Sequence, residues 1–468
     1  MKISRAHGCL VLLSTLILGS CGGGGGSSAV VPPPPQVTLS SIALSPLTAS
    51  LPIGGTQQLT VTGTYSDMTT KTLAASGETF ASSNDAVATV SVTGLVTVPA
   101  SATVGAQATI SVTDTATKVV SAAAASTVVT VVAGPTANSA AAVNATVAHN
   151  AKCSSGSIDT AYYWEIGDAS GPLISGTQPD ASGQALDDKG APISPATSKW
   201  SIASGSKWVY GTYVVESRGS AGILAGTDPS IPYLNFTSGF TYLGNFPPTT
   251  PCPKTGSVDD CLTGLPTTPD PSTAGHFYYD SDHMEEHYTI VMGHGSDGII
   301  AIQGTIQSVL GTDLGFEYSN PLLAAGVYTT SNDYTLFLRR ILSGQYQMSK
   351  TLSASPVCTN SAAAGCNAVP DQSPIANATS GGESWHYSIG HWIEDDPVVG
   401  DGAFSSPGAL GWYPWIDKSQ KYYGIIAREN LNTAAGNFEG YQSAVCGRLI
   451  RNAWETGVEQ TGAAPTFN

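Results

Sequence analysis

Residues 201–208 read Ser-Ile-Ala-Ser-Gly-Ser-Lys-Trp and contain a Ser-x-x-Lys pattern formed by Ser204 and Lys207. Side chains three residues apart share one face of a helix, so a helix beginning here brings the lysine amine to the serine hydroxyl. A serine hydroxyl becomes a good nucleophile when a neighbouring base accepts its proton, and a desolvated lysine can be that base. The apolar residues around the pattern, Ile202 and Trp208 among them, predict that the helix is buried.

Four more segments follow in an order that matches a known family. They are residues 234–240 (LNFTSGF), 277–281 (FYYDS), 323–333 (LAAGVYTTSND) and 404–427, which contains YPWID and YGIIA. With the Ser-x-x-Lys segment they resemble the serine β-lactamase and penicillin-binding-protein superfamily, especially its class C and esterase-like branch. The resemblance implies an α+β domain in which helices flank an antiparallel sheet and a helical subdomain lies beside it.

The resemblance also implies catalytic roles. Ser204 is the expected nucleophile, and Lys207 and Tyr279 are expected to move protons. Ser281 stands where the family has Asn, and its hydroxyl lacks the two donors of an amide.

A loop near the C-terminus is expected to complete the site. Ser406 stands where lactamases have a lysine, and Gly408 follows two residues later. The N–H of Ala409 is expected to join that of Ser204 in an oxyanion hole.

Three literal matches are less consistent with the family order. Tyr318-Ser319-Asn320 comes too late for the tyrosine element, so Tyr318 is interpreted as a structural loop tyrosine. Lys254-Thr255-Gly256 precedes Tyr279 and is interpreted as coincidental. His283 and His287, with two glutamates between them, are interpreted as an exposed helix face rather than a metal site, because no third ligand is evident.

These assignments predict a serine hydrolase that acts on esters or amides through an acyl-enzyme, with no cofactor and no metal. Loss of the lysine at Ser406 removes a cation that would bind a substrate carboxylate. A β-lactamase or D-alanyl carboxypeptidase, with Arg428 as the cation, is the alternative enzyme. A surface-binding lipoprotein with a catalytically decayed hydrolase fold is the non-enzymatic alternative.

The N-terminus has the pattern of an export signal. Lys2 and Arg5 precede a largely apolar run over residues 10–18, which is too short for a stable membrane anchor. Leu-Gly-Ser-Cys at 18–21 is similar to a bacterial lipobox, which implies removal of residues 1–20 and lipidation of Cys21. An ordinary signal peptide with an incidental cysteine is the alternative.

The residues after Cys21 support a lipoprotein. Residues 21–35 are rich in Gly and Pro and are expected to form a tether. Gly22 implies, by resemblance to lipoprotein sorting rules, transfer to the outer membrane, on its periplasmic or surface-exposed face. A lipid would anchor the protein to that membrane.

Composition also fits an exported protein. The net charge is −16, and residues 1–20 hold two basic and no acidic residues, so the chain without them carries −18. Such a chain is a poor candidate for nucleic-acid binding. Only 11% of residues are charged, which is low for a cytosolic protein.

Six of the eight cysteines lie between Cys153 and Cys446, an even number that suits an oxidising compartment. Cys252 with Cys261, and Cys358 with Cys366, bracket Pro- and Gly-rich or Ala-rich loops, so local pairing is the simplest interpretation. Cys153 and Cys446 then remain as a pair. The family resemblance supports this pair, since the first and last helices of the superfamily pack side by side.

Two domains are expected from the length of 468 residues. Residues 36–133 contain short alternating runs that predict an antiparallel β-sandwich, and SSNDAVATVSVTGLVTV resembles the bacterial Ig-like domains of group 2. We expect this domain to be a spacer. The hydrolase domain is assigned to residues 138–457 and a C-terminal tail to 458–468.

Overall fold

The computed structural model describes residues 37–52, 56–99, 101–122, 125–132, 139–153, 160–244, 252–377, 382–431 and 439–462. The predicted signal peptide, the tether and Cys21 lie outside these residues. Within the described ranges, no helix combines the length and the hydropathy that a membrane span requires.

The N-terminal part is all-β, as predicted. Its strands are β1 (Leu39–Ser45), β2 (Thr48–Pro52), β3 (Thr56–Gln58), β4 (Thr60–Tyr65), β5 (Thr70–Leu73), β6 (Glu78–Ser82), β7 (Thr89–Val90), β8 (Leu95–Thr97), β9 (Gln107–Asp114) and β10 (Thr127–Val132). They form three sheets in the orders β1-β4-β5, β2-β10-β9-β6 and β3-β8-β7.

Buried and exposed residues alternate along these strands, and the buried ones form one apolar core. In β9, Ala108, Ile110 and Val112 are buried while the residues between them are more exposed, as the period of a strand requires. One pairing differs from the antiparallel prediction, because β10 runs parallel to β2. The two strands are far apart in sequence, and no turn between them dictates their direction.

The second part mixes helices and strands. Its helices are α1 (Ser139–His149), α2 (Ser206–Arg218), α3 (Ser220–Leu224), α4 (Ile231–Leu234), α5 (Val258–Leu262), α6 (Asp282–Glu286), α7 (Ile299–Leu310), α8 (Ser331–Leu342), α9 (Met348–Thr351) and α10 (Glu439–Thr456). Its strands are β11 (Tyr162–Asp168), β12 (Gly171–Gln178), β13 (Lys199–Ser201), β14 (Glu317–Tyr318), β15 (Val327–Thr330), β16 (Val357–Cys358), β17 (His386–Tyr387), β18 (Trp392–Ile393), β19 (Phe404–Ser405), β20 (Tyr413–Ile416) and β21 (Tyr422–Ala427).

Eight of these strands form an antiparallel sheet in the order β12-β11-β21-β20-β19-β18-β17-β16. Helices cover both of its faces. The Tyr413 hydroxyl accepts a hydrogen bond from Arg451 of α10, whereas Tyr423 lies against Thr335 and Arg339 of α8. The remaining helices pack on one another, α2 against α7 and α4 and α5 against α6. The predicted fold class, an Ig-like all-β part followed by an α+β part with a flanked antiparallel sheet, is confirmed.

Three disulfides join the described cysteines. They link Cys153 to Cys446, Cys252 to Cys261 and Cys358 to Cys366, with Cα–Cα distances of 5.0, 4.5 and 5.6 Å. The first connects the residues after α1 to the middle of α10, and these two helices pack against each other.

The long-range disulfide is expected to stabilise the fold most. It closes a loop of 293 residues, against 8 for Cys358–Cys366. In the chain-entropy model this corresponds to on the order of 5 kcal/mol, against about 2.5 kcal/mol for the short loop. Urea unfolding of the C153S/C446S and C358S/C366S double variants measures the difference. A larger midpoint shift for the short-loop variant would contradict it.

Candidate active site

Ser204 lies at a sharp turn between a strand and a helix. β13 ends at Ser201, a single turn of 3-10 helix covers Ala203–Gly205, and α2 follows without a break. Ala203 has a positive φ of 43°, a conformation that costs a non-glycine residue on the order of 1–3 kcal/mol and is concentrated at functional sites. Because Ser204 is in the first turn, its backbone N–H has no carbonyl acceptor within the helix.

The Lys207 amine is directed at Ser204. It donates hydrogen bonds to Ser204 Oγ at 3.0 Å and to the carbonyl oxygen of Ala324 at 3.0 Å. The lysine is only 2% exposed, and no carboxylate of the described residues lies within ion-pair distance. Burial therefore lowers the pKa of Lys207 to about 8, although Glu285 and Asp280 act in the opposite direction. A lysine in this state can accept a proton near neutral pH.

Tyr279 stands beside this pair. Its ring stacks on Trp392 with a centroid distance of 5.4 Å, and its centre lies 4.9 Å from the Lys207 amine. The hydroxyl is buried and forms no hydrogen bond with the described residues. Burial raises the pKa of Tyr279, and the Ser204 hydroxyl opposes this rise. Ser281, two residues on, is buried directly before α6.

Tyr318 and Lys254 are not part of this arrangement. Tyr318 lies in the short strand β14, not in the loop that was predicted, and burial near Glu285 and Tyr213 raises its pKa. Lys254 is exposed, whereas Ser204 is buried. Of the two candidate tyrosines, Tyr279 is thus the one whose ring contacts the Lys207 amine.

The loop between β19 and β20 packs against the nucleophile turn. Ser406 Oγ donates a hydrogen bond to the carbonyl of Ser204 at 2.9 Å. The N–H of Gly408 bonds the carbonyl of Trp412 at 2.7 Å and closes the loop. The N–H of Ala409 makes no hydrogen bond with the described residues.

His283 connects two of the motif segments. Its Nδ1 bonds Ser238 Oγ at 2.6 Å and its Nε2 bonds the carbonyl of Tyr278 at 2.9 Å. His287 bonds the Tyr210 hydroxyl at 2.6 Å. The predicted exposed helix face is therefore wrong, because α4, α5 and the 234–240 segment cover α6 and bury both histidines. The described residues contain no group of three or more His, Cys, Asp or Glu arranged to hold a metal.

Arg428, the alternative substrate-binding cation, is already engaged. It is fully buried, lies 3.1 Å from the carboxylate of Glu439 and donates to Ser443 Oγ at 2.9 Å. A buried guanidinium held in this way is not free to bind a substrate carboxylate.

Residues 38–124 match the family model of the bacterial Ig-like domain (group 2). This confirms the resemblance predicted for the N-terminal part. Ice-binding protein 1 of Shewanella frigidimarina (strain NCIMB 400) is 47% identical over 85 residues, which are 18% of this chain and 9% of that protein. The chain thus spans less than a tenth of that curated relative.

Two solved structures each align with about two thirds of the chain. A penicillin-binding protein homologue from Pyrococcus abyssi has a TM-score of 0.42 at 13% identity, over 62% of this chain and 73% of that one. A D-amino acid amidase from Ochrobactrum anthropi SV3 has a TM-score of 0.40 at 12% identity, over 67% of this chain and 97% of that one.

Gly408 leaves no room for a side chain. A Cβ at this position would lie 2.2 Å from the carbonyl oxygen of Ile202, so Gly408→Ala should destabilise the protein by about 1–3 kcal/mol. Gly304→Ala is the matched control, because its Cβ would meet nothing within 4 Å and an alanine favours α7. Urea unfolding of both variants measures this, and equal midpoints would contradict the expected clash.

Proposed function

We propose that the protein is an exported serine hydrolase that cleaves esters or amides through a covalent acyl-enzyme. The observation that supports this most directly is the buried hydrogen bond from the Lys207 amine to Ser204 Oγ. A buried, partly deprotonated lysine at this distance is a base for the serine proton. The adjoining Tyr279 hydroxyl and the unpaired N–H of Ala409 support the same reaction.

In the proposed acylation, Ser204 Oγ attacks the substrate carbonyl while its proton passes to Lys207. The N–H groups of Ser204 and Ala409 stabilise the negative oxygen of the tetrahedral intermediate. Tyr279 then donates a proton to the leaving alcohol or amine as the bond to it breaks, and the proton that Lys207 took from Ser204 passes to Tyr279. In the second half of the reaction, water attacks the acyl group and gives a proton to the same side chains, and Ser204 Oγ receives that proton as its bond to the acyl group breaks and the acid leaves.

The charges around the nucleophile support a substrate without a carboxylate next to the scissile bond. Ser406 occupies the position of the lactamase lysine and bonds the Ser204 carbonyl. Arg428 is paired with Glu439. Both features support an ester or amide substrate over a β-lactam or a peptidoglycan stem.

We also propose that the protein is a lipoprotein anchored through Cys21 in the outer membrane, with the Ig-like part as a spacer. The signal-like N-terminus, the lipobox and the low content of charged residues support this location. The three disulfides suit an oxidising compartment.

Replacement of the nucleophile tests the proposed reaction. Ser204→Ala should reduce hydrolysis of a p-nitrophenyl ester by several orders of magnitude, because no acyl-enzyme can form. The melting temperature should change little, since alanine favours a helix. Mass spectrometry after treatment of the wild type with an alkyl fluorophosphonate should place the adduct on Ser204.

Ser201→Ala is the matched control, because this side chain makes no hydrogen bond with the described residues. It should keep its activity and its labelling. A folded wild type that neither hydrolyses esters nor takes the label would favour the binding lipoprotein. Acylation by a fluorescent penicillin would instead favour the β-lactamase or carboxypeptidase.

Paired tyrosine variants separate the two candidate tyrosines. Tyr279→Phe should lower the activity by about 100-fold or more, the usual contribution of a general acid or base. Tyr318→Phe should leave the activity unchanged, because Tyr318 lies in β14 and it is the Tyr279 ring that contacts the Lys207 amine. Steady-state hydrolysis of the same ester measures both. A strong loss for Tyr318→Phe alone would reverse the assignment.

A further inference from the structure

A buried carboxylate lies behind the nucleophile, and the proposed reaction assigns it no role. Glu285 of α6 is 0% exposed and has no ion-pair partner within 4 Å among the described residues. It accepts the backbone N–H of Leu323 at 2.8 Å and that of Ala324 at 3.1 Å. Burial of a carboxylate is unfavourable without such bonds. The two N–H groups therefore stabilise the buried Glu285 side chain, and Glu285 in turn fixes the backbone at Leu323 and Ala324.

Ala324 connects this carboxylate to the reacting groups. Its N–H donates to Glu285 and its carbonyl accepts from the Lys207 amine, which in turn donates to Ser204 Oγ. A displacement of the Ala324 peptide therefore moves the amine away from the nucleophile. An error of about 1 Å in such a position can lower a rate by about 100-fold.

We propose that Glu285 is a positioning residue of the reaction: it fixes the Ala324 carbonyl that aims the Lys207 amine at Ser204, and the shared Ala324 peptide couples the two charged groups. This inference rests on the proposed function. Glu285 itself does not touch the reacting atoms.

The charges of the two side chains are coupled. Burial lowers the pKa of Lys207 to about 8 and raises the pKa of Glu285 to about 8. The negative charge of Glu285 opposes the first effect, and the N–H groups of Leu323 and Ala324 together with the positive charge of Lys207 oppose the second. The other titratable groups that face the pair, from α2, α6, β14 and the segment before α6, are Tyr210, Tyr279, Asp280, Asp282, His283 and Tyr318.

Two substitutions separate position from charge. Glu285→Gln keeps the length and one acceptor oxygen but removes the charge. Glu285→Asp keeps the charge but withdraws the carboxylate by about 1.5 Å, one carbon–carbon bond. Glu286→Gln is the matched control. Glu286 is the next residue along α6, and its carboxylate makes no hydrogen bond to residues 323–324.

Two readouts are measured on the full chain: the pH dependence of ester hydrolysis, and the titration of Lys207 by NMR of ¹⁵N-lysine-labelled protein. For Glu285→Gln we expect the midpoints of the activity curve and of the Lys207 titration to move to lower pH, because the negative charge that favours protonated Lys207 is gone. A tenfold change in the proton affinity of Lys207 corresponds to one pH unit. For Glu285→Asp we expect an unchanged midpoint and an activity loss of about 100-fold. Glu286→Gln should change neither.

An unchanged Lys207 titration in folded Glu285→Gln would overturn the proposal. The NMR titration needs no activity, so an inactive wild type would refute the hydrolase while the Lys207 titration still decided the role of Glu285. If neither Glu285 variant folds, the wild type decides: the Lys207 amine and the ¹³C-labelled Glu285 carboxyl must each respond to the titration of the other. Independent titration of the two groups would overturn the proposal.

Discussion

Removal of the Lys207 amine from water is the constraint on which the site depends. An ammonium group in a protein interior loses its hydration, and the nearest compensation here is two neutral acceptors, Ser204 Oγ and the Ala324 carbonyl. The lysine is therefore held near the point at which it loses its proton. The surrounding elements satisfy this requirement together: α2 supplies the amine, the turn before β15 supplies the carbonyl, and aromatic rings close the remaining side.

The sheet that supports the site is held from behind by a buried ionic network. Arg451 of α10 donates to Glu394 at 2.8 Å and to Asp401 at 2.6 Å, and Arg448 donates to Glu383 at 2.9 Å. Removal of one partner from such a network leaves an uncompensated charge, which typically costs about 3–5 kcal/mol. The short strands β17 to β19 contribute few backbone bonds of their own. Glu394 follows β18 and Asp401 precedes β19, so the network ties to α10 the segment that leads into the Ser406–Ala409 loop.

The sequence predicted those parts that depend on local spacing or on the order of segments. The Ser204–Lys207 pair could be predicted from its spacing of three residues, and Tyr279 from its place in the order of the family-like segments. The burial of His283 and the contacts of Glu285 could not be predicted, because their partners come from segments far along the chain. α6 has only five residues, too few for a hydrophobic period to show which side faces inward. The parallel β2–β10 pair was missed for a related reason, since strand direction across a long connection has no local signal.

The order of strands in the large sheet has a consequence for how the chain folds. β11 begins at Tyr162, but its neighbour β21 begins only at Tyr422. The pairing of β11 with β21 therefore joins residues of very high sequence separation, and loop closure of this length slows folding. During synthesis, β11 has no partner on that side until β21 has been made. The large sheet stays incomplete until then, and the Cys153–Cys446 disulfide can form only after α10, which follows β21.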